Sequence, residues 1–240
     1  MHSNLVYPHV SIDCVVLGFD GVKLNVLLLK RNGVQDGASF NDLKLPGNLI
    51  YSDEDLDNAA QRVVGGFFPS HALYLKQFKC FGSPNRTENP RDIMWLEKAT
   101  QLKIGRIITV AYLALLRIDD KLRFKTETVE AVWKPILEIQ ELAFDHKQIL
   151  NEAIEEVREN ISSDPSLIFN LLPKKFTAAQ MRNVFEVIFG SKMDVRNFHK
   201  KMIRMDYVVP LDEFEKGVSH RAARYYKFDK KTYLKAHKGF

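Results

Sequence analysis

The apolar positions of this chain change period along its length, and the changes mark out its elements. Residues 9–17 read as a strand, Asp20-Gly21 as a hairpin turn, and 23–30 as a second strand ending in Lys30-Arg31. Residues 32–41 form a polar, glycine-containing loop. Residues 43–49 then lead through Pro46-Gly47 to a helix over 55–64, where Leu56, Ala59, Ala60, Val63 and Val64 fall at helical spacing behind the capping residues Ser52-Asp53. Strand character resumes at 73–81. Residues 82–105 form an insertion-like segment that opens with Ser83-Pro84-Asn85, and segments of this length often serve as lids or interfaces. Residues 107–118 are the clearest buried strand, being nearly all apolar. A strand over 129–137 follows, and Asp145 caps a helix from about 146 to 160.

A different pattern begins after a small, polar, proline-containing linker at 162–166. Residues 169–173 dock as an extended apolar segment. Thr177 opens a helix, with Gln180 completing a capping pattern, Met181, Val184, Phe185 and Ile188 forming the apolar stripe, and Gly190 ending it. Asp194 caps a second, two-sided helix. Val195, Phe198, Met202 and Met205 fall on its apolar face, while Arg196, Lys200 and Arg204 recur at intervals of four on another, with Asn197 and Lys201 beside them. Two helices joined by a short glycine-containing turn, the second basic outside and apolar inside, describe a helix-turn-helix whose second helix fits a major groove. Strands at 207–210 and 221–228 around a loop over 211–220 make it winged, and 230–240 form a basic tail.

Arginine and lysine supply phosphate contacts and guanine readout, and asparagine pairs with adenine. The expected DNA contacts are therefore Lys174, Thr177, Arg196, Asn197, Lys200, Lys201 and Arg204, with Ser219, His220 and Arg221 at the wing. A winged helix used for dimerisation or protein contact is the competing reading. Charge supports the first. From residue 161 on there are 16 Lys+Arg against 8 Asp+Glu, a net of +8, which leaves 19 against 22, a net of −3, in residues 1–160. Such asymmetry points to a module that meets a polyanion.

A length of 240 residues is comfortable for two domains, expected at 1–160 and 161–240. With 45% hydrophobic and 27% charged residues the composition is that of an ordinary globular protein. No apolar run approaches the roughly 20 residues that span a bilayer. Residues 1–8 lack a basic start followed by an apolar stretch, so no membrane partner and a cytoplasmic location are expected. The two cysteines, Cys14 and Cys80, both lie in apolar strand-like contexts, where a buried thiol behaves as a small hydrophobe; their number excludes a disulfide framework or a cysteine-rich metal site. Neither a metal nor a cofactor is expected.

Residues 48–70 carry the outline of the 23-residue Nudix box with most of its chemistry replaced. Glu54 and Arg62 stand eight apart as that box requires, and Gly47 survives just before the position of its first glycine, which is Asn48. Val63 stands where the box has a glutamate after the arginine, Gly66 and Phe67 where it has a glutamate pair, and Pro69 where it closes on glycine. Those glutamates supply the carboxylate oxygens that hard divalent cations need, and valine, glycine and phenylalanine supply none. The order of strands, box helix, buried strand, Trp-containing strand and final helix resembles the Nudix α/β/α sandwich.

Together with the C-terminal patterns Phe169-Asn170-Leu171-Leu172-Pro173-Lys174-Lys175-Phe176-Thr177, Arg196-Asn197-Phe198 and Tyr226-Lys227-Phe228, the whole chain resembles the Nudix-related bacterial transcriptional regulators, a group that includes repressors of NAD metabolism and regulators of arabinose use. The resemblance implies an N-terminal Nudix-like α/β/α sandwich that serves as an effector sensor, a C-terminal winged helix-turn-helix domain, and a homodimer on a double-stranded operator. A nucleotide derivative or a sugar is the expected effector, with Glu54, Arg62, Arg86 and Arg106 as its expected contacts. Two alternatives stand beside it. One is a Nudix hydrolase of a nucleoside diphosphate derivative with unusual metal ligation, using Glu54 with Asp53 or Asp57. The other is a protein-interaction scaffold. His146, a lone histidine at a helix start, reads as a capping or packing residue, and His71 as a turn residue.

Overall fold

The structure, a computed structural model, describes residues 6–35, 38–68, 73–119, 130–219 and 222–237. Its contacts gather into two compact units, Met1–Gly18 with Asn25–Glu156, and Phe19–Leu24 with Val157–Phe240.

The first unit is built on a seven-stranded sheet. Its strands are β1 (Val6–Phe19), β2 (Leu24–Gln35), β3 (Ala38–Lys44), β4 (Gly47–Tyr51), β5 (Tyr74–Phe81), β6 (Ile108–Arg117) and β7 (Ala131–Pro135). They lie in the order β3-β2-β1-β6-β5, with β4 paired to β1 and β7 to β2. Alternate residues of a strand face opposite sides of a sheet. On one side Ile12, Cys14 and Val16 of β1 join Val110, Tyr112 and Ala114 of β6 beneath Ala59, Ala60 and Val64 of α1 (Leu56–Gly65) in a single core. On the other, Asp13, Val15 and Leu17 are buried as well. Helix α3 (His146–Ser163) buries Ile149, Leu150 and Ala153 and sets His146 beside Asp13. A strand covered on both faces reads as a continuous apolar run, and that makes the acid at Asp13 an exception to explain.

Four local readings need correction. The polar stretch 32–41 is no free loop, because β2 and β3 pair through it with Arg31 opposite Asp42 and Gly33 opposite Phe40. The cap of α1 is Asp55, whose carboxylate accepts from the Asn58 N–H at 2.7 Å, and not Ser52-Asp53. Residues 82–105 are ordered as a 3-10 turn over Pro84–Thr87 and helix α2 (Pro90–Thr100), which starts with Pro90 behind the cap Asn89. Cys14 is buried as expected, whereas Cys80 is exposed. Gly47 has a steric reason to be kept. It lies opposite Asp13, and a Cβ there would meet Asp13 Oδ1 at 2.2 Å and the Ile12 carbonyl at 2.6 Å.

The second unit contains β8 (Phe176–Thr177), α4 (Ala178–Phe189), α5 (Val195–Met202), β9 (Val208–Phe214), β10 (Arg224–Phe228) and α6 (Lys230–Ala236), with its strands in the order β8-β10-β9. This is a winged helix. Thr177 and Gln180 form the complete capping box, Gly190 closes α4 at φ +66°, and Asp194 caps α5. The segment expected as a linker is instead the end of α3 followed by a 3-10 helix over Pro165–Asn170, so the expected extended docking segment begins as a helical turn. The basic tail is also helical as far as Ala236, because Tyr233 on α6 is buried, stacks edge-on against Tyr207 at 4.9 Å and donates its hydroxyl to Asp164 at 2.6 Å. Phe169 stacks on Phe228 at 4.1 Å in the same aromatic cluster.

Candidate functional site

The retained box residues form a closed brace. Arg62 on α1 donates to both oxygens of Glu54, from Nε at 2.8 Å and from Nη2 at 2.5 Å, and its Nη2 also reaches the Leu49 carbonyl at 3.0 Å. Glu54 accepts from the Tyr51 N–H at 2.8 Å, and the guanidinium lies 3.9 Å over the Tyr51 ring. Arg62 is the main reason that the Glu54 carboxyl lies below its ordinary range. This pair ties β4 to α1 and has little capacity left for a ligand. Of the three replaced positions, Val63 and Phe67 pack against the core and Gly66 caps the helix, which ends before reaching Phe67. Asp57 accepts from the Tyr112 hydroxyl at 2.5 Å, and Asp53 is exposed. Among the described residues, no group of three or more His, Cys, Asp or Glu side chains could hold a metal ion.

A cavity of about 300 Å³ lies elsewhere in the same unit, between the sheet and α2. Its polar wall contains Asp13, Lys44, Arg86 and His146, and its aromatic wall Trp95 and Phe144. Arg86, brought in by the 3-10 turn, is nearly buried; it donates to both oxygens of Asp145 at 3.0 and 2.9 Å and to Asp13 at 3.3 Å. His146 Nδ1 accepts from the Leu45 N–H at 2.9 Å, which leaves Nε2 to carry the proton, 3.4 Å from Asp13 Oδ1. Burial would raise the Asp13 carboxyl, but His146 and then Arg86 outweigh it and hold the group far below the usual carboxylate range.

Lys44 is different. The residue is 8% exposed, and its ammonium donates to the Leu45 carbonyl at 3.2 Å and the Gly47 carbonyl at 3.5 Å, with no carboxylate within 4 Å among the described residues. Burial pulls its pKa down against the pull of Asp13 in the other direction.

A second ionic cluster ties α2 to the sheet beside this cavity. Arg31 pairs with Asp42 at 2.7 and 2.5 Å and with Asp92 of α2 at 2.6 Å, while its guanidinium lies 5.0–5.6 Å from the rings of Phe40, Trp95 and Phe144. Asp92 also accepts from the Phe144 N–H at 3.0 Å. Phe144 sits at φ +57°, a left-handed backbone that costs a bulky residue of order 1 kcal/mol or more and concentrates at functional sites.

The winged helix presents the opposite kind of surface. Phe198 and Met202 of α5 are buried, one turn apart, and turn the other faces of the helix to solvent. Arg196, Asn197, His199, Lys200 and Lys201 are all exposed there. Among the described residues none of Arg196, Lys200, Lys201 and Arg204 has a carboxylate within 4 Å. The turn before α5 is fixed by Glu186 of α4, which accepts from the Met193 N–H and from Lys192 Nζ, both at 3.0 Å, and lies 3.3 Å from Arg182.

The expected effector residues do not converge. Glu54 and Arg62 hold each other, Arg106 is exposed and donates to the Gly82 carbonyl, and only Arg86 lines the cavity. Asp13, Lys44, Trp95 and Phe144 were not expected there, although an acid within an apolar strand was a visible signal at Asp13. In the winged helix, Arg204 lies beyond the end of α5, Lys174 and Ser219 are exposed, and Thr177 is buried with its hydroxyl engaged in the capping box. His220 and Arg221 lie outside the described residues, as do Pro69 and His71. Val195, expected on the buried face, is 58% exposed.

Comparison with known proteins places these features. The model of the NrtR DNA-binding winged helix domain matches residues 168–228. The ADPR-responsive transcriptional repressor NtrR of Acinetobacter baylyi is 24% identical over 235 residues, which is 96% of this chain and 86% of the relative. The crystal structure of Shewanella oneidensis NrtR superposes with a TM-score of 0.68 at 22% identity, covering 92% of this chain and 94% of that one. Its complex with a 27-mer DNA gives 0.67 at the same identity over 92% and 93%. A MutT/nudix family protein from Enterococcus faecalis gives 0.63, also at 22% identity, over 93% and 88%. The fold is therefore a Nudix-type domain followed by an NrtR-type winged helix. Among the described residues no helix is long and apolar enough to cross a membrane.

Proposed function

We propose that this Nudix-related transcriptional regulator binds a double-stranded operator as a homodimer, and that its N-terminal unit is a sensor of a small metabolite rather than a hydrolase. The observation that carries the reading is the solvent face of α5. Exposed cations with no carboxylate within 4 Å among the described residues, above a buried apolar underside, are what phosphate and guanine contacts require. The names of the relatives support it: one is an ADPR-responsive repressor, and another was solved with DNA. The lack of hydrolysis is inferred from Val63, Gly66 and Phe67 at the positions of the box glutamates, and from the mutual engagement of Glu54 and Arg62. The effector, a nucleotide derivative or a sugar, would occupy the cavity that Lys44, Arg86 and Trp95 line, close to the start of α3. Ligand pockets of this kind run from roughly 300 to 1,000 Å³ and combine apolar walls with a few placed polar groups.

The test is fluorescence anisotropy of the full chain on DNA from upstream of its own gene, against a scrambled duplex, at two salt concentrations. Preference for the native duplex that persists at the higher salt is expected, and its release by ADP-ribose is the first effector titration to run. Equal, weak and salt-sensitive binding to both duplexes would remove sequence-specific regulation. Magnesium-dependent cleavage of ADP-ribose to AMP and ribose 5-phosphate should stay at background. Clear turnover would restore the hydrolase reading.

A further inference from the structure

We infer that Val195 is a specificity-determining residue of α5 that reads the 5-methyl group of a thymine in the major groove. The inference rests on the DNA-binding reading above and names one base feature that the helix recognises.

Val195 is the first residue of α5, directly after the cap Asp194, and is 58% exposed. It is the only aliphatic residue among the exposed positions of the helix, which are otherwise Arg196, Asn197, His199, Lys200 and Lys201. The cluster beneath α5 does not use it, since that side of the helix is filled by Phe198 and Met202, with Phe198 edge-on to Phe185 at 5.6 Å. Helical side chains lean toward the N-terminus of their helix, so the valine methyls project from the leading end of α5. In helix-turn-helix proteins the N-terminal residues of the recognition helix meet the base edges. The largest apolar partner for an aliphatic group placed there is the thymine methyl, since the other groups that distinguish the base edges are donors and acceptors and cytosine carries only a hydrogen at the same position. The neighbours Arg196 and Asn197 carry the polar half of the same readout, and Val195 adds the hydrophobic half.

The experiment is a thymine-to-deoxyuridine scan of the operator, which deletes one methyl group at a time and leaves every hydrogen-bonding group in place. The wild type and Val195→Ala are measured side by side by anisotropy. The wild type should lose about three- to tenfold in affinity at one or two half-site positions, and Val195→Ala should show no such loss there while binding the unmodified operator equally more weakly. The two deletions should thus fail to add. A scan without any sensitive thymine, or sensitive thymines that remain so in Val195→Ala, would overturn the inference. So would a uniform drop of Val195→Ala on operator and scrambled DNA alike, accompanied by a lower Tm, since that would make the valine a packing residue. Failure of the wild type to prefer its operator at all would instead sink the regulatory reading on which the inference stands.

Discussion

Arg62 and Arg196 each stand on a helix beside polar neighbours, and the chain treats them in opposite ways. Arg62 receives a carboxylate on two of its nitrogens, a backbone carbonyl and an aromatic face. Arg196 is exposed and has no acid within 4 Å among the described residues. The same contrast separates the buried clusters of the N-terminal unit, where Arg31 and Arg86 are paired with Asp42, Asp92, Asp13 and Asp145, from the solvent face of α5. Saturated ion pairs hold a shape, because removing one partner strands the other in a poor solvent. Unsaturated exposed cations do little for the fold and are available to a polyanion. The two units therefore use the same residue types for different ends, and the difference is open to test by asking which charges cost stability and which cost binding.

The largest effect is expected at Asp92. Its carboxylate is nearly buried between Arg31 and the Phe144 N–H, so Asp92→Ala should destabilise the N-terminal unit by about 3–5 kcal/mol in urea unfolding. A loss below about 1 kcal/mol would mean that the cluster is not the strut that fixes α2. Next is the double replacement Arg196→Ala with Lys200→Ala. It should weaken operator binding by about 2–4 kcal/mol and flatten the salt dependence by roughly two phosphates at most, with Tm unchanged. If these two substitutions lowered stability and spared binding, the comparison would be reversed.

Much of this division was legible in the sequence, for a physical reason. The winged helix is written in local signals: the capping box Thr177–Gln180, Gly190 at a positive φ, Asp194 ahead of α5, and the i,i+4 pairs Arg196–Lys200 and Phe198–Met202. Each is decided within one or two turns. The sandwich order was legible too, because β6 is apolar throughout and α1 has helical spacing. The cavity was not. Arg86 reaches its partners Asp13 and Asp145 across 73 and 59 residues, and Arg31 meets Asp92 from the far side of the sheet sequence, so no periodicity announces them. Assigning Glu54 and Arg62 to an effector followed from reading retained polar residues as functional; at eight apart they satisfy each other first. Val195 was misassigned because a valine at the start of an amphipathic helix satisfies an apolar stripe on paper, whereas Phe198 and Met202 already fill the inner face.

Glu186 offers a smaller and finer cut, since its charge belongs to the fold but acts on the binding surface. It accepts the Met193 N–H and Lys192 Nζ and so sets the turn that aims α5. Glu186→Gln should lower operator affinity roughly three- to tenfold while leaving binding to scrambled DNA unchanged, because phosphate contacts tolerate a tilt that base contacts do not. Equal losses on both duplexes would show that Glu186 supports the fold in general and not the aim of the helix.

Lys44 tests the comparison at its boundary, being buried like the paired charges but with no carboxylate within 4 Å among the described residues. A buried ammonium with no carboxylate within 4 Å among the described residues costs the protein stability, so Lys44→Met, which nearly keeps the length and removes the charge, should stabilise it by about 1 kcal/mol, or roughly 2–4 °C in Tm. The pH dependence follows from the lowered pKa of this group. A lysine in an unfolded chain titrates near 10.4. Between the lowered folded value and about 10.4 the unfolded chain therefore holds the proton more tightly, and the wild type gains stability as pH rises through that window. Lys44→Met lacks this gain, so the gap between the two proteins should be widest at neutral pH and close toward about pH 10. Thermal melts of both proteins at intervals from pH 7 to pH 10, buffered at constant ionic strength, read this directly. Should the variant be less stable throughout, the two carbonyl bonds and the Trp95 face would be sufficient partners, and Lys44 would belong with the saturated charges.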